Sequence, residues 1–224
     1  MSKVWFVTGS SRGLGRQFVE AALSRGDRVA ATARTITGLD DLVDRYGDAV
    51  LPLELDVTGR KAVFETVEQA KKHFGRLDVI VNNAGYAQFG AVEELTEQEL
   101  RDQLETNLFG AVWVIQAALP YLREQRSGHI VQLSSAAGII TMPLGGADRP
   151  GLRRRPPAAR RDDRQAAPGD PAAAARALLK LVDSDDPPLR VIFGVGIYPM
   201  IQQVYAGRLK TWDDWQELSA ASHG

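Results

Sequence analysis

The octet Thr8-Gly9-Ser10-Ser11-Arg12-Gly13-Leu14-Gly15 sets three glycines within seven positions, between a short apolar run and a helix-length amphipathic stretch. Glycines so placed permit a tight turn and let the backbone approach a pyrophosphate, whose charge the N-terminus of the following helix favours. An ordinary strand-to-helix turn also uses glycine. What points to a dinucleotide is the position of the trio, directly after a first strand and opening a first helix. Further polar residues recur where later strands end: Arg34, Asp56, Asn82-Asn83-Ala84-Gly85 and Ser134-Ser135, with Asn107 inside a long helical stretch.

The elements that must carry these residues are legible as alternation. Short β-rich runs (VWFVTG, RVAATAR, VLPLELDV, LDVIVNNAG, HIVQLSS) interleave with helical patterns: LGRQFVEAALSRG, LDDLVDRYG, Gly59 to Phe74, and TEQELRDQLETNLFGAVWVIQAALPYLREQRSG. Such alternation predicts an α/β protein, a Rossmann-type doubly wound parallel sheet in three layers. Thr96-Glu97-Gln98-Glu99 reads as a capping box opening the long helical region. The pattern breaks after Met142. From Asp148 to Asp170 there are seven arginines, four prolines and four aspartates, with Leu152 the one large aliphatic residue, so neither a strand nor a core helix is predicted there. From Pro171 a helix resumes, LRVIFGVG is predicted as a further buried strand, and Ile201 to Leu218 as an amphipathic stretch bearing Trp212 and Trp215. The expected organisation is one domain over 1–224, with 1–147 the cofactor-binding part, 148–170 irregular, and 171–224 a C-terminal helix, strand and tail.

Composition narrows the function classes. With 224 residues, 44% of them hydrophobic, and a net charge of −1, the chain can bury one core and has no global attraction to nucleic acid or anionic lipid. The arginine run lacks interleaved aromatics, which argues against a nucleic-acid surface. No apolar run reaches transmembrane length. Lys3 to Val7 begins a strand rather than a leader, so a cytoplasmic location is expected. Absence of cysteine excludes thiolate chemistry and disulfides, and His73, His129 and His223 are too far apart for a helical metal motif, so no metal is predicted.

The TGxxxGxG spacing, Asp56 in LDV, Asn82-Asn83-Ala84-Gly85, Asn107 in ETNLFG and Ser134-Ser135-Ala136-Ala137-Gly138 together resemble the short-chain dehydrogenase/reductase family, well over residues 3–147 and more loosely over 171–224. The resemblance implies an NAD(P)(H)-dependent oxidoreductase that moves a hydride between nicotinamide and a carbonyl or alcohol. It implies that Gly9, Ser11, Gly13, Leu14 and Gly15 surround the cofactor phosphates and ribose, that Asp56 bonds the adenine amino group, and that Asn83, Ala84 and Gly85 line the nicotinamide-side ribose, while Asn82 is structural. Ser135 and Asn107 match the catalytic serine and asparagine. The segment Ala31-Thr32-Ala33-Arg34 holds no acid to bond a ribose 2′-OH, and Arg34 with Arg12 suits a 2′-phosphate, so NADP(H) is expected over NAD(H). Met142, Leu144 and the Trp212 and Trp215 region suggest an apolar substrate or an interface.

The family's chemistry also needs a tyrosine whose pKa, near ~10 when unperturbed, is lowered by a lysine four residues on. No tyrosine or lysine occurs between Ser135 and Gly169, and none of Tyr46, Tyr86, Tyr121, Tyr198 and Tyr205 is followed by lysine at that spacing. Three readings stand: a family member whose central segment is a reading-frame or deletion product, a dinucleotide- or partner-binding module without dehydrogenase chemistry, and an enzyme with a substitute proton donor. In the family the missing helix pairs with the long one to form a dimer interface. Its loss is expected to expose Leu104, Val112, Ile115 and Leu119 and to put a homo-oligomer in question.

Overall fold

A computed structural model describes residues 2–90, 92–140 and 169–223. Five strands, β1 (Val4–Val7), β2 (Arg28–Ala33), β3 (Val50–Glu54), β4 (Val79–Asn82) and β5 (His129–Gln132), form a parallel sheet in the order β3-β2-β1-β4-β5. Order reverses at β1, whose neighbours are β2 and β4, and ligand crevices of doubly wound sheets open at such switch points. The register is set by apolar alternation. Trp5 and Val7 face one layer and Val4 and Phe6 the other, all fully buried.

Helices α1 (Gly13–Ser24) and α2 (Asp40–Tyr46) and the later α6 (Pro171–Val182) cover the Trp5 face, through Phe18, Val19, Leu42, Leu178 and Val182. The other face is covered by α3 (Arg60–Phe74) and α5 (Ala111–Gln125), through Val63, Val67, Val114 and Leu122. Each fully buried aliphatic or aromatic side chain of this kind contributes about 1.5–3 kcal/mol. Both layers are therefore seated by sequence periodicity, as a three-layer α/β architecture requires.

The long helical region is two helices in one line. The capping box opens α4 (Glu97–Leu104), where the Glu99 amide donates to Thr96 Oγ1 at 3.2 Å and the Thr96 amide donates to Glu99 Oε2 at 2.9 Å. A π turn over Glu105–Gly110 then carries Asn107 before α5 begins. Asp170 caps α6, accepting from Ala172 and Ala173, with Pro171 in the first turn, where its missing N–H costs nothing.

Two expectations are corrected. The run LRVIFGVG is exposed and non-strand, because β5 is the outer strand and no further strand lies beside it among the described residues; without a neighbour the run has no partner for its N–H and C=O groups. Ile201 to Leu218 is helical, as α7 (Ile197–Asp214) and α8 (Gln216–Ala221), but no residue of either helix is buried. Of the four residues expected to be uncovered, Leu104 is 52% exposed while Val112, Ile115 and Leu119 are half-buried. Residues 148–168, Met142 and Leu144 lie outside the described residues.

Candidate active site

The C-terminal ends of β1 and β4 are stitched together by one hydroxyl. Thr8 is buried, its amide donates to Val81 O at 3.0 Å, and its Oγ1 accepts from the amides of Asn83 and Ala84, each at 3.0 Å. Asn83 answers from the other side, its Nδ2 donating to Thr8 O at 2.8 Å and Gly9 O at 3.0 Å. The resemblance implies that Asn83 lines a ribose and gives no role to Thr8; the structure shows that the Asn83 side-chain amide also holds the glycine loop. The overlooked signal is a hydroxyl directly before a glycine turn, where a side chain can satisfy loop amides that have no strand partner.

This clasp explains the glycines. Gly9 has φ +69° and packs against Ala84, and a Cβ on Gly15 would stand 2.3 Å from both Asn83 Nδ2 and Gly9 O. Gly13, φ +61°, opens α1 behind Arg12. That helix N-terminus has no side-chain cap among the described residues and no acid in its first turn, and Ser11 and Leu14 beside it are exposed. Geometry and charge fit a phosphate held by backbone.

Arg12 and Arg34 are exposed at this edge, and neither makes an ion pair among the described residues. Arg16, one turn on, is committed elsewhere: to Asp41, to Glu20 at 2.8 Å and to Gly38 O at 3.1 Å. The Asp41 hydrogen bond raises the Arg16 pKa above its ordinary value, and Arg16 holds the Asp41 carboxyl below the usual carboxylate range. Arg16 is thus a strut between α1 and the start of α2.

Asp56 lies two residues past β3, exposed, with Oδ1 accepting from the Thr58 amide at 2.9 Å and Thr58 Oγ1 at 2.8 Å. Asn107 and the turn after β4 form a second closed unit. Asn107 Nδ2 donates to Tyr86 O at 2.7 Å, the Tyr86 amide donates to Asn107 Oδ1 at 3.1 Å, and a Cβ on Gly85 would sit 3.1 Å from that oxygen. Ser135 follows β5 on the next loop of the same edge. Its exposed Oγ accepts from the Ala137 amide at 3.2 Å, which leaves the hydroxyl proton available to a ligand. No hydrogen bond links Ser135 to Asn107 among the described residues. Asn82 is buried, donating to Ala111 O at 3.3 Å, while its Oδ1 has no partner among the described residues.

A cleft of about 790 Å³ lies at the opposite edge of the sheet, lined by Lys3, Arg25, Asp27, Arg76, Asp78 and Asp183. Its charges are mutually paired, including Arg25 with Asp183 at 2.7 Å and Arg76 with Asp78 at 2.5 Å, so it ties the entries of β1, β2 and β4 to the end of α6.

Strand order, glycine turn and bare helix N-terminus define a Rossmann-type α/β protein with its crevice over β1 and β4. A family model described as short chain dehydrogenase matches residues 3–147, and the chain belongs to that family of oxidoreductases. It is 50% identical over 144 residues to Oxidoreductase BOA17 of Botryotinia fuckeliana, covering 64% of this chain and 53% of that protein. A crystal structure of a short-chain dehydrogenase from Streptomyces avermitilis is similar over 99% of both chains, at 32% identity and TM-score 0.88. An alcohol dehydrogenase from Thermococcus sibiricus, complexed with 5-hydroxy-NADP, is similar over 65% of this chain and 63% of that one, at 32% identity and TM-score 0.61. The chain spans about half the length of the curated relatives it matches. Among the described residues no helix is long and apolar enough to cross a membrane.

Proposed function

We propose that this chain binds NADP(H) at the C-terminal edge of its sheet and lacks the proton-transfer half of a short-chain dehydrogenase. The observation that carries the reading is the Thr8–Asn83 clasp on Gly9 and Gly15, beside a helix N-terminus with no side-chain cap and with Arg12 and Arg34 exposed and without an ion pair among the described residues. Backbone N–H groups from Gly13 onward would receive the pyrophosphate, and Ser11 the adjoining ribose. Arg12 and Arg34 would meet a 2′-phosphate, which an acid at the end of β2 would repel. The solved relative that holds an NADP analogue supports this preference. Asp56 retains a second carboxylate oxygen toward the adenine, and Ala84 and Gly85 would border the nicotinamide ribose.

When bound, the cofactor supplies or accepts the hydride. Ser135 would hold the oxygen of a small, apolar carbonyl or alcohol by donating its hydroxyl proton. Asn107 fixes the Gly85–Tyr86 turn against which that substrate lies. No tyrosine or lysine between Ser135 and Gly169 supplies an acid able to protonate the developing alkoxide near neutral pH.

General acid catalysis contributes roughly 10²–10⁴-fold. NADPH consumption on a panel of ketones and aldehydes is therefore expected to be at least about 10²-fold slower than in a version whose residues 148–170 are replaced by a helix carrying tyrosine and lysine four apart. Equal turnover by the two chains contradicts the loss of the proton donor.

A further inference from the structure

We propose that Arg16 is a positioning residue for 2′-phosphate selection: it clamps the loop after β2 onto the glycine turn and so fixes where Arg34 stands relative to Arg12. This role rests on the NADP(H) reading above, in which Arg16 itself meets no part of the cofactor. The loop from Arg34 to Leu39 joins β2 to α2, and Arg34 to Gly38 are all exposed. Its near end is tied down at β2, where Thr32 O accepts from the Ser10 amide at 2.8 Å and Ala33 O from the Leu55 amide at 2.9 Å. Its far end is a 3₁₀ turn, Ile36–Leu39, whose Leu39 is buried in the layer that holds α1. Just before Leu39 the chain stands hard against the glycine turn, since a Cβ on Gly38 would lie 3.1 Å from Ser11 Cβ.

Arg16 supplies the grip from α1. Its Nη1 donates to Gly38 O at 3.1 Å and to Asp41 Oδ1 at 3.0 Å, its Nη2 donates to Asp41 Oδ2, and its Nε donates to Glu20 Oε1 at 2.8 Å. These donations use nearly every N–H group of the guanidinium, and its charge faces the carboxylates of Glu20 and Asp41. Arg16 is therefore spent as a phosphate ligand and placed as a tie. The fork on Asp41 holds the first turn of α2, and the bond to Gly38 O holds the loop between that turn and Arg34. Guanidinium recognition of a phosphate depends on geometry, so a loosened loop forfeits the Arg34 contact while the backbone site at the start of α1 stays.

Fluorescence titration with NADPH and with NADH, on the full chain and on its Arg16→Gln and Asp41→Ala variants, tests the clamp. If two arginines share a roughly tenfold preference for NADPH, loss of one share lowers the NADPH-to-NADH affinity ratio about threefold. Both variants are expected to show that fall, with NADH affinity and far-UV circular dichroism unchanged. Asp41→Ala is the decisive arm. Asp41 is exposed, so its loss does not threaten the fold, and the substitution removes a negative charge. Were charge alone to set the preference, the ratio would rise. Given a preference for NADPH in the unmodified chain, a rise in Asp41→Ala, an unchanged ratio in either variant, or an equal loss of affinity for both nucleotides would each overturn the role of Arg16 and leave the NADP(H) reading standing. An unmodified chain that binds neither nucleotide, or binds both alike, overturns that reading and the role of Arg16 with it.

Discussion

At the scale of the residue, the site is a set of short polar clasps that hold backbone in place, and the glycines are what the clasps leave room for. Gly15 is the most constrained of them, because the atoms a methyl group would meet are the Asn83 amide and the Gly9 carbonyl rather than flexible side-chain ends. Gly15→Ala must displace Asn83, costing two hydrogen bonds to the loop as well as the crowding itself, which is about 1–3 kcal/mol for an overpacked site. For a chain of this size each kcal/mol lowers Tm by about 2–4 °C. Thermal unfolding is expected to show that loss, and NADPH titration a weakening of at least about tenfold, equivalent to 1.4 kcal/mol. Unchanged Tm and affinity would mean that Asn83 does not set the loop. The roles of Thr8 and Asn83 were invisible as types and spacing alone: a threonine before a glycine and an asparagine after a strand are common, and only the parallel pairing of β1 with β4 brings them within reach.

At the scale of the element, α6 is the part whose attachment depends on charge. Its apolar face packs Ala175, Leu178 and Val182 onto the layer that holds α1, and its C-terminal end is gripped by Lys3, which donates to Val182 O at 3.0 Å and to Asp183. Arg25 donates to the other Asp183 oxygen at 2.7 Å. The Lys3 hydrogen bond, opposed by partial burial and aided by the Arg25 charge, holds the Asp183 carboxyl below its ordinary range. A carboxylate whose folded pKa is depressed binds fewer protons when folded than when unfolded. Its stabilising contribution is complete above the unfolded value, about 3.9, and is lost as pH falls through the lower folded value. Amide exchange in α6, taken relative to the unfolded-chain rate at the same pH, is therefore expected to accelerate below about pH 4. Asp183→Asn is expected to accelerate it slightly at neutral pH, as an exposed pair is worth about 0–1 kcal/mol, and to flatten the acid dependence. An acid dependence identical in the variant would assign it to other carboxylates. Helices α1, α2, α3, α5 and α6 were legible by their apolar periodicity and α4 by its capping box; the π turn around Asn107 was not, since nothing in ETNLFG departs from helical periodicity.

At the scale of the whole molecule, the five-stranded sheet and its two covering layers follow from alternation that the sequence displays openly, and the dinucleotide crevice from where strand order reverses. What alternation could not give was the fate of residues after β5. LRVIFGVG has the composition of a buried strand, but a strand exists only with a neighbour, and the neighbour depends on residues far away in the chain. The same distance governs the proposed chemistry: the proposed cofactor half is local to the ends of β1 to β4, whereas the family resemblance puts the proton donor in a segment whose sequence holds neither tyrosine nor lysine. Under the proposed function, binding and turnover are thus separable. The most direct test of the central claim is a fluorescence titration of the unmodified chain with NADPH and with NADH, repeated on an Arg12→Ala, Arg34→Ala double variant. Charge-assisted contacts of this kind are worth about 1.5–3 kcal/mol, so NADPH should bind about tenfold or more tighter than NADH, and the double variant should lose that preference. Binding of neither nucleotide at millimolar concentration would contradict the account.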